Sequence, residues 1–540
     1  QVSLVTKSGT NEVHASAYWY HRNTATSTNE YFLKLAQLQA GEQSKSPKLQ
    51  KHIYGVSAGG PLWKDRFFLF GNFENLRESS EAPVDRSVPS ASFRDGVLIY
   101  RCATASLCPG GSVAGFAGTH TVPAGHFGAT PAQLAAIDPL GIGPSAAVAT
   151  HFRQYPLPND TGRDALNIMG FRFPSPIKND FYTYIARADF KIDRTGNHTL
   201  FWRGQLQDDV IASASQFPGK PPNTAQLINS KGMAIGYNAV LSPRWVNSFR
   251  YGLTRIKEET AGLRTSNAVT FRFITDFNAL TASSGRIVPT HNFVDDMSYT
   301  AGGHTLQFGM NIRSTRIPRF TNAGSFHTAT TNGSWVSGVG RRFMPGRSTC
   351  TTPGCTAVPA VSPSFAAVWA DSFIPLLGIV SQASARYNYN PDGSTLPNGE
   401  PVRREYGSDE YEFYLQDSWR LRPSLTIAFG FRYGVYSPPF ETNGLQVSPS
   451  ISLGEWFNQR GSNAARGIPS NAIPPFTIDL AGPVYGRKGF YAWDWNNLAP
   501  RASFAWTPRF SSGILGRITG NGHMVIRGGY SVVYDRIGQA

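Results

Sequence analysis

One stretch of the sequence has the spacing of a catalytic serine. Gly55, Ser57 and Gly59 match the G-x-S-x-G nucleophile elbow, in which a sharp turn from strand to helix exposes a reactive serine. Gly60-Pro61 follows directly, and this dipeptide predicts a turn where the elbow requires a helix. We therefore interpret Ser57 as an ordinary strand residue, and we expect no catalytic residue and no enzymatic activity.

A second stretch has part of the spacing of a calcium loop. Asn388, Asn390 and Asp392 stand at alternate positions, as the first ligands of an EF-hand loop do. The twelfth position, however, is Gly399, where the loop needs a bidentate glutamate. We expect neither a cofactor nor a dedicated metal site, and calcium bound in this loop stays an open alternative.

The four cysteines form two close pairs, Cys102 with Cys108 and Cys350 with Cys355. Each pair lies in a stretch rich in glycine, proline, serine and threonine. Such pairs can close small disulfide loops in an oxidising compartment, and unpaired loop thiols are the alternative. Zinc is disfavoured, because no histidine or further cysteine stands at ligand spacing. All four are therefore candidate disulfide cysteines.

The 50 Lys and Arg against 35 Asp and Glu give a net charge of +15. Such a balance raises nucleic acid as a partner, since clustered cations neutralise phosphates. In this sequence the basic residues are dispersed, and no basic helical stripe occurs. We expect no nucleic-acid partner, and a lipid surface rich in phosphate suits the scattered cations equally well.

Several segments alternate polar and apolar residues over about ten positions, the length of a tilted strand that crosses a bilayer. In residues 184–193 the even-numbered residues are apolar, whereas the odd-numbered ones include Arg187, Asp189 and Lys191. No apolar run of eighteen or more residues occurs, so a helical membrane span is not expected. We predict an all-β chain, although the strands of a soluble sandwich alternate in the same way.

The joins between the predicted strands separate a barrel from a sandwich. Strands are predicted at about 11–22, 50–60, 66–77, 180–193, 197–208, 231–241, 244–256, 289–300, 303–316, 408–421, 424–437, 498–507 and 522–535. Long loops are predicted at about 78–179, 317–407 and 438–497. Short turns such as Ser242-Pro243 take the alternate joins, because every second turn of an up-and-down barrel falls on one side of the membrane. The predicted fold is an antiparallel up-and-down transmembrane β-barrel with long extracellular loops.

Charged residues on the polar face of these strands would line the barrel interior, where they set the electrostatic field along a pathway. The candidate lumen-facing residues are Arg187, Asp189, Lys191, Arg203, Arg250, Arg313, Glu410, Glu412, Arg420, Arg432, Arg501 and Arg527. Aromatic residues near strand ends are candidates for the interfacial girdles. They are Tyr18, Trp19, Tyr20, Phe67, Phe68, Phe70, Trp245, Tyr411, Tyr414, Trp419 and Trp506.

Two phrases of the sequence resemble a known family. Residues 5–17 read VTKSGTNEVHASA, and residues 55–74 read GVSAGGPLWKDRFFLFGNFE. They resemble the plug-to-barrel junction and the first hairpin of TonB-dependent outer-membrane receptors of the Oar-like family, whose members carry a carboxypeptidase-regulatory-like domain. Looser agreement extends to residues 497–501, NLAPR, so the resemblance spans nearly the whole chain.

The resemblance implies a domain plan. Residues 1–10 correspond to the end of the plug, and residues 11–540 correspond to a partial barrel. About 13 strands are predicted where the family implies about 22, and residues 536–540 lack the terminal aromatic of outer-membrane barrels. We expect the chain to be part of a longer protein in the outer membrane of a Gram-negative bacterium, with the plug outside this sequence.

The resemblance also implies a function: an outer-membrane receptor that binds an extracellular ligand and imports it in a TonB-dependent manner. The expected partners are the TonB energy-transducing complex acting through the plug, lipopolysaccharide and outer-membrane lipid, and an extracellular ligand that the sequence does not identify. A surface adhesion or secretion-associated barrel is the alternative. A soluble all-β carbohydrate-active enzyme is a third hypothesis, and it requires paired carboxylates across a cleft.

Overall fold

The computed structural model describes residues 6–39, 41, 43–333, 339–487, 489, 492–510, 512–520 and 523–534. Val5 of the first family phrase and the final residues 536–540 lie outside the described residues. The first twelve strands are β1 (His14–Asn23), β2 (Leu49–Trp63), β3 (Phe67–Pro89), β4 (Leu98–Arg101), β5 (Gly111–Ala114), β6 (Thr119–Val122), β7 (His126–Ala129), β8 (Ile168–Lys191), β9 (His198–Ala212), β10 (Thr224–Ile228), β11 (Lys231–Ser242) and β12 (Trp245–Gly262). The others are β13 (Ala268–Phe271), β14 (Ser284–Ala301), β15 (His304–Thr321), β16 (Thr328–Thr331), β17 (Gln382–Ser384), β18 (Val402–Arg422), β19 (Leu425–Tyr436), β20 (Phe440–Glu441), β21 (Val447–Pro449), β22 (Ile478–Leu480), β23 (Asp494–Trp506) and β24 (Ile526–Ser531).

The helices are short and lie in the connections between strands. They are α1 (Tyr31–Gln39), α2 (Pro131–Ile137), α3 (Ala146–Phe152), α4 (Val339–Arg342), α5 (Ala366–Leu377), α6 (Leu453–Ala465) and α7 (Gly513–Thr519). Among the described residues, none of these helices has the length and apolar character needed to cross a membrane.

Most of the long strands belong to one antiparallel sheet of fifteen strands. Its order is β1-β2-β3-β8-β9-β10-β12-β14-β15-β18-β19-β23-β24, with β11 between β9 and β12 and with β20 beside β18. Strands that follow one another along the chain are thus neighbours in the sheet, as an up-and-down arrangement requires. Each strand predicted from the alternation is present, so the predicted all-β architecture is confirmed.

Short turns and long connections alternate along this sheet. Short turns join β2 to β3, β8 to β9, β11 to β12, β14 to β15 and β18 to β19. Residues 507–525, between β23 and β24, depart from the pattern because they include helix α7 on the side of the short turns. The long connections therefore leave the sheet from one edge, which we call the loop edge, and the short turns lie at the opposite turn edge.

The strand registers give the sheet two chemically different faces. Residues directly opposite each other in an antiparallel pair point to the same side of the sheet. Arg187 lies opposite Arg203, and this side is called the ionic face below. Ala188 lies opposite Trp202 on the other side, which is called the apolar face. The alternation in the sequence therefore corresponds to a real division of side chains.

Two strands run much farther than predicted. β3 and β8 pair along their whole length, up to Pro89 opposite Ile168, so the loop predicted at 78–179 begins only after Pro89. Pro83 lies opposite Pro174 within this extension, and prolines normally exclude a central strand. They are tolerated because β3 no longer pairs with β2, and β8 does not pair with β9, at this height, so no hydrogen-bonding partner is lost on the outer sides. The result is a two-stranded ribbon that rises above the loop edge.

The long connections fold into a cap with a hydrophobic core. We define the cap as residues 90–167, 213–223, 263–283, 322–333 and 339–401. Its core includes the fully buried side chains of Tyr100, Phe152, Trp369 and Phe373. The rings of Tyr100 and Trp369 meet edge to face with centroids 5.2 Å apart, within the range of favourable aromatic pairs. The cap is therefore a packed structure in its own right.

Local sequence signals set the helices of the cap. In α2 the side chains and backbone groups of Thr130 and Gln133 form a reciprocal capping box. The hydroxyl of Ser145 accepts a hydrogen bond from the backbone of Val148 at the start of α3. Helix α5 ends at Gly378, whose φ of 74° lies in the left-handed region that favours glycine. These caps fix where each helix presents its apolar side to the core.

Candidate functional site

The ionic face carries every candidate lumen-facing residue predicted from the sequence. Continuous registers from β8 to β24 place them on one side of the sheet. They are Arg187, Asp189, Lys191, Arg203, Arg250, Arg313, Glu410, Glu412, Arg420, Arg432, Arg501 and Arg527. Together they span the height of the sheet, from Arg420 near the turn edge to Arg313 toward the loop edge.

Some of these charges pair with one another. Arg187 bonds Asp189 at 2.7 Å, and Arg313 bonds Glu410 on the neighbouring strand at 3.1 Å. Glu412 accepts hydrogen bonds from the amide of Asn311 at 3.0 Å. The pairs sit on a half-exposed surface, where such ion pairs contribute little stability but fix the direction of side chains.

Other cations on the ionic face have no acidic partner. Among the described residues no ion pair within 4.0 Å involves the side chains of Lys191, Arg250, Arg420, Arg501 or Arg527. The face is therefore positively charged overall. Such a surface raises the local concentration of anions.

The start of the chain lies against this face. Arg187 donates a hydrogen bond of 2.9 Å to the backbone carbonyl of Thr6, and Arg203 donates one of 2.7 Å to the hydroxyl of Thr6. Gly9 packs so closely that a Cβ atom there would meet the carbonyl oxygen of Leu69 at 2.6 Å. Two candidate lumen-facing arginines thus hold the N-terminal segment to the ionic face.

The registers divide the aromatic residues that were predicted to form girdles. Tyr18, Tyr20, Phe68, Phe70 and Tyr414 lie on the ionic face, so their assignment to a lipid-facing girdle is wrong. The remaining six, Trp19, Phe67, Trp245, Tyr411, Trp419 and Trp506, lie on the apolar face. The prediction failed because aromatic residues occupy both faces near strand ends, and residue type alone does not give the side.

The two cysteine pairs lie in the cap, in segments far apart in the chain. The structure joins Cys102 to Cys108 and Cys350 to Cys355 as disulfides. The segments also contact each other, since Cys102 forms a backbone bridge with Val361. Each disulfide therefore rigidifies a loop that contributes to the shared core.

Two buried carboxylates form ion pairs between segments of the cap. Asp95 accepts hydrogen bonds from His120 at 2.9 Å and from Arg153 at 3.1 Å. Burial opposes its charge, but these bonds and one from a backbone amide hold the pKa of Asp95 below its usual value. Asp371 bonds Arg163 at 3.0 Å, yet burial outweighs this contact and raises the pKa of Asp371. Polar networks thus join the cap segments in addition to the apolar core.

A cavity of about 740 Å³ opens in the cap. Helix α3, the connection between β9 and β10 and the loop after β12 surround it. The cavity presents both cations and rings, since Lys220 Nζ lies 4.2 Å from the ring centre of Phe277. Arg264 and Asn267 add polar groups to the lining. The volume falls within the range of about 300–1,000 Å³ that holds small-molecule ligands.

The electrostatics of the cavity follow from burial. Burial raises the pKa of Asp276, and the guanidinium of Arg264 partly opposes this effect. Burial also lowers the pKa of His151, whose ring stacks on Phe271 with centroids 5.6 Å apart. The cavity therefore combines cationic groups with a neutral imidazole and aromatic surface, which suits a ligand that carries both negative charge and apolar parts.

The motifs rejected on sequence grounds lie in ordinary structure. Ser57 is in the middle of β2, where its hydroxyl lies 2.8 Å from that of Ser16. Asp392 accepts hydrogen bonds from the backbone and the hydroxyl of Ser394 in a tight turn, which lowers the pKa of Asp392. In the part of the chain that the structure describes, no cluster of three or more His, Cys, Asp or Glu forms a metal site.

The cap and its cavity are the candidate functional features that the sequence analysis missed. A signal was present in residues 366–377, where Trp369, Phe373 and Leu377 recur at helical spacing inside a segment taken as a loop. No comparable pattern marks Lys220, because lining a cavity depends on how distant segments meet.

An antiparallel sheet that is apolar on one face and ionic on the other, with long connections at one edge, defines an outer-membrane β-barrel protein. The sequence agrees: residues 5–540 match the family described as the outer membrane beta barrel domain, and the chain belongs to this family. Its location is accordingly the outer membrane of a Gram-negative bacterium. Comparison with curated proteins gives no match.

The chain is also similar to solved structures of outer-membrane proteins. The outer membrane transporter YddB from Escherichia coli is 9% identical with a TM-score of 0.38, over 93% of this chain and 50% of that one. The copper transporter OprC is 6% identical with a TM-score of 0.36, over 94% and 44%. The siderophore receptor PirA from Acinetobacter baumannii is 10% identical with a TM-score of 0.33, over 93% and 52%. The chain spans about half the length of these proteins.

Proposed function

We propose that this chain forms the wall and the outer cap of a TonB-dependent receptor, of the Oar-like branch, that binds an extracellular ligand and imports it. The observation that carries the proposal is the 740 Å³ cavity in a folded cap at the loop edge of a barrel wall. A cavity in a rigid cap can hold a ligand in defined contacts, whereas a disordered loop must first pay the cost of ordering. No covalent chemistry is required.

The charges support an anionic ligand. Lys220 and Arg264 line the cavity, and unpaired cations such as Arg250 and Arg501 continue on the ionic face, which we propose to be the lumen. An anion released from the cavity then meets a positive potential along the wall. Aromatic lining by Phe277 adds apolar contact. The receptor therefore favours ligands that join carboxylate, phosphate or catecholate groups to a ring or chain.

The proposed partner is the TonB energy-transducing complex, acting on a plug that lies against the ionic face. Support comes from Thr6, which Arg187 and Arg203 hold to this face as the end of a plug would be held. Pulling on that plug would break these contacts and open a path along the wall. The lipid that surrounds the wall, including lipopolysaccharide, is the remaining proposed partner.

Ligand depletion from a defined medium tests the proposal. Cells carrying the full-length gene, its deletion, or a TonB deletion receive a mixture of ferric siderophores, phosphorylated sugars and short peptides, and the medium is followed by mass spectrometry. Ala147→Trp places a large ring in the cavity, whereas Ala146→Trp changes the neighbouring exposed residue of α3 that does not line it. We expect at least one compound to be depleted only by cells with the gene and TonB, about tenfold more slowly with Ala147→Trp, and normally with Ala146→Trp.

Other outcomes contradict the proposal. If gene deletion leaves depletion of all compounds unchanged while surface adhesion or protein export fails, the adhesion or secretion alternative replaces import. If both tryptophan variants deplete a compound equally well, the ligand does not use this cavity.

A further inference from the structure

The apolar face contains a groove. A cavity of about 780 Å³ lies on this face between β2 and β12. Its floor is a row of small residues in register across four strands: Ala58 opposite Gly71, Gly71 opposite Ala186, and Ala186 opposite Gly204. A row without bulky side chains lowers the surface of the sheet along one line. The groove is therefore a consequence of register as well as of residue type.

Larger apolar side chains form the walls of the groove. Phe73 and Tyr184 lie opposite each other on the loop-edge side of the floor, with ring centroids 5.0 Å apart. The ring of Trp202 bends over Gly204, since a Cβ atom on Gly204 would meet it at 2.7 Å. Leu206 continues the lining toward the loop edge. The shape fits a flexible hydrocarbon chain, because the floor and these walls are apolar.

Two cations close the loop-edge end of the groove. Lys231 and Arg255 line it and lie directly opposite each other on β11 and β12. Neither forms an ion pair within 4.0 Å among the described residues. Of the acids at this height, Glu259 pairs with Lys257 at 3.2 Å, and Asp208 accepts a hydrogen bond from Asn229 without forming an ion pair within 4.0 Å with either cation. The pair is thus free to bind an anion.

The height of this pair matches the outer headgroup layer. Trp245, on the apolar face near the turn edge, and Arg255 are ten residues apart on β12. A tilted strand needs about 9–11 residues to cross the hydrocarbon core of a bilayer. Cations on a lipid-facing surface are costly at the bilayer centre but not at the interface. Arg255 and Lys231 therefore stand where the phosphates of outer-leaflet lipid lie.

We propose that the groove binds an acyl chain of a phosphorylated glycolipid of the outer leaflet, whose phosphate is held by Lys231 and Arg255. The apolar groove would hold the acyl chain. The unpaired cations at its outer end would bind the phosphate, since charge-assisted hydrogen bonds from Arg and Lys to phosphate are strong. A second copy of the protein fits poorly, because a twofold contact on this surface would bring its own Lys231 and Arg255 to the same height. The inference rests on the outer-membrane location and not on import.

Native mass spectrometry of the full-length protein in mild detergent tests this site. The probes are bisphosphorylated lipid A, its dephosphorylated form and phosphatidylethanolamine, and heat-modifiable migration on gels confirms that each variant is folded. Lys231→Gln with Arg255→Gln removes the cations, and Lys257→Gln is the control because Lys257 already pairs with Glu259. Gly71→Leu fills the floor of the groove, and Gly252→Leu is its control on the ionic face; a Cβ atom meets nothing within 4 Å at either glycine.

We expect retained lipid A adducts on the wild type and on both controls. The double glutamine variant and Gly71→Leu should each lower adduct abundance about tenfold, and dephosphorylated lipid and phosphatidylethanolamine should bind the wild type at that lower level. Equal retention of all three lipids overturns the phosphate contact. Retention that Gly71→Leu leaves unchanged overturns the groove, and a dimer that Gly71→Leu dissolves replaces the lipid with a second copy.

Discussion

At the scale of single residues, the cap depends on side chains buried in one hydrophobic core, which also includes Val88 of β3 and Ile168 of β8. Trp369 is the largest fully buried side chain in the structure, and it stacks on Phe373 with centroids 5.2 Å apart. Phe457, on α6, is by contrast 72% exposed. Aromatic residues on these two helices are thus expected to differ in their contribution to stability.

Truncation of the buried ring should unfold the cap locally. Trp369→Ala removes a core side chain and is expected to destabilise the cap by about 3–5 kcal/mol, because the cavity left behind adds to the lost burial. Hydrogen exchange of the α5 peptides in the full-length protein measures this loss, while strands of the wall stay protected. Phe457→Ala should leave exchange unchanged, and equal exchange in the two variants would show that Trp369 is not a core residue.

The second residue-scale prediction concerns pH. Burial holds the pKa of His151 below its unfolded value of 6.5, so the folded cap binds fewer protons there than the unfolded chain does. The stabilising contribution of the neutral ring is present above pH 6.5 and is lost as the pH falls below that value toward the lowered pKa. His151→Gln cannot titrate and should lack this loss.

The measurement compares cap stability of wild type and variant by hydrogen exchange between pH 7.5 and pH 5. Subtracting the two curves removes the opposite trend of Asp276 and Asp371, whose pKa values are raised and which disfavour the folded state less as the pH falls. The wild type should lose stability relative to His151→Gln on acidification. Parallel curves would mean that His151 has the same pKa in both states.

At the scale of elements, alternation within the sequence predicted the strands of the wall. The fold of the cap, in contrast, depends on contacts between residues that are far apart in the sequence. Polar and apolar residues alternate along strands such as β15, so the sequence of one strand is enough to assign its side chains to the two faces of the sheet. The cap is different, because the hydroxyl of Tyr100 donates to the carbonyl of Pro359 at 2.7 Å across a long stretch of chain. No periodicity connects such positions. The ribbon of β3 and β8 was missed for a related reason, since Pro83 argues against a strand until the missing neighbour is known.

The same difference between local patterns and long-range contacts applies to the candidate site. The twelve candidate lumen-facing residues followed from alternation, because charge and spacing are both visible in the sequence. The cavity did not, because Lys220 and Arg264 come together only when separate connections pack on the cap core. A prediction from sequence therefore identifies a pathway along a wall more readily than the pocket that opens above it.

The cap disulfides provide a prediction at the element scale. Replacing both Cys102 and Cys108 by serine releases a small loop, and loop-closure entropy suggests a loss of about 2 kcal/mol in cap stability. Protease cleavage within residues 103–107 should become faster in intact cells, whereas barrel assembly, read by heat-modifiable migration, should not change. Unchanged cleavage would indicate that packing alone holds this loop.

At the scale of the whole molecule, a membrane wall carries a folded cap that contains a cavity. The wall presents apolar residues to lipid, and we propose that the ionic face lines a wet interior. This arrangement has a direct consequence for neighbouring residues on β18 and β19. Leu415 lies opposite Phe431 on the apolar face, whereas Gln416 lies opposite Gly430 on the ionic face.

Spin-label accessibility at these positions distinguishes the side of the wall that faces lipid from the side that faces the interior. The four cysteines of residues 1–540 are disulfide-bonded, so a single added cysteine at Leu415, Phe431, Gln416 or Ser418 carries the only label in this part of the protein, and any cysteine outside these residues is replaced by serine before labelling in outer membranes. We expect labels at Leu415 and Phe431, on the apolar face, to collide mainly with oxygen dissolved in lipid. Labels at Gln416 and Ser418 should favour a water-soluble nickel complex or be shielded from both. Higher oxygen accessibility at Gln416 and Ser418 than at Leu415 and Phe431 would contradict the assignment of the two faces, and with it the proposed pathway.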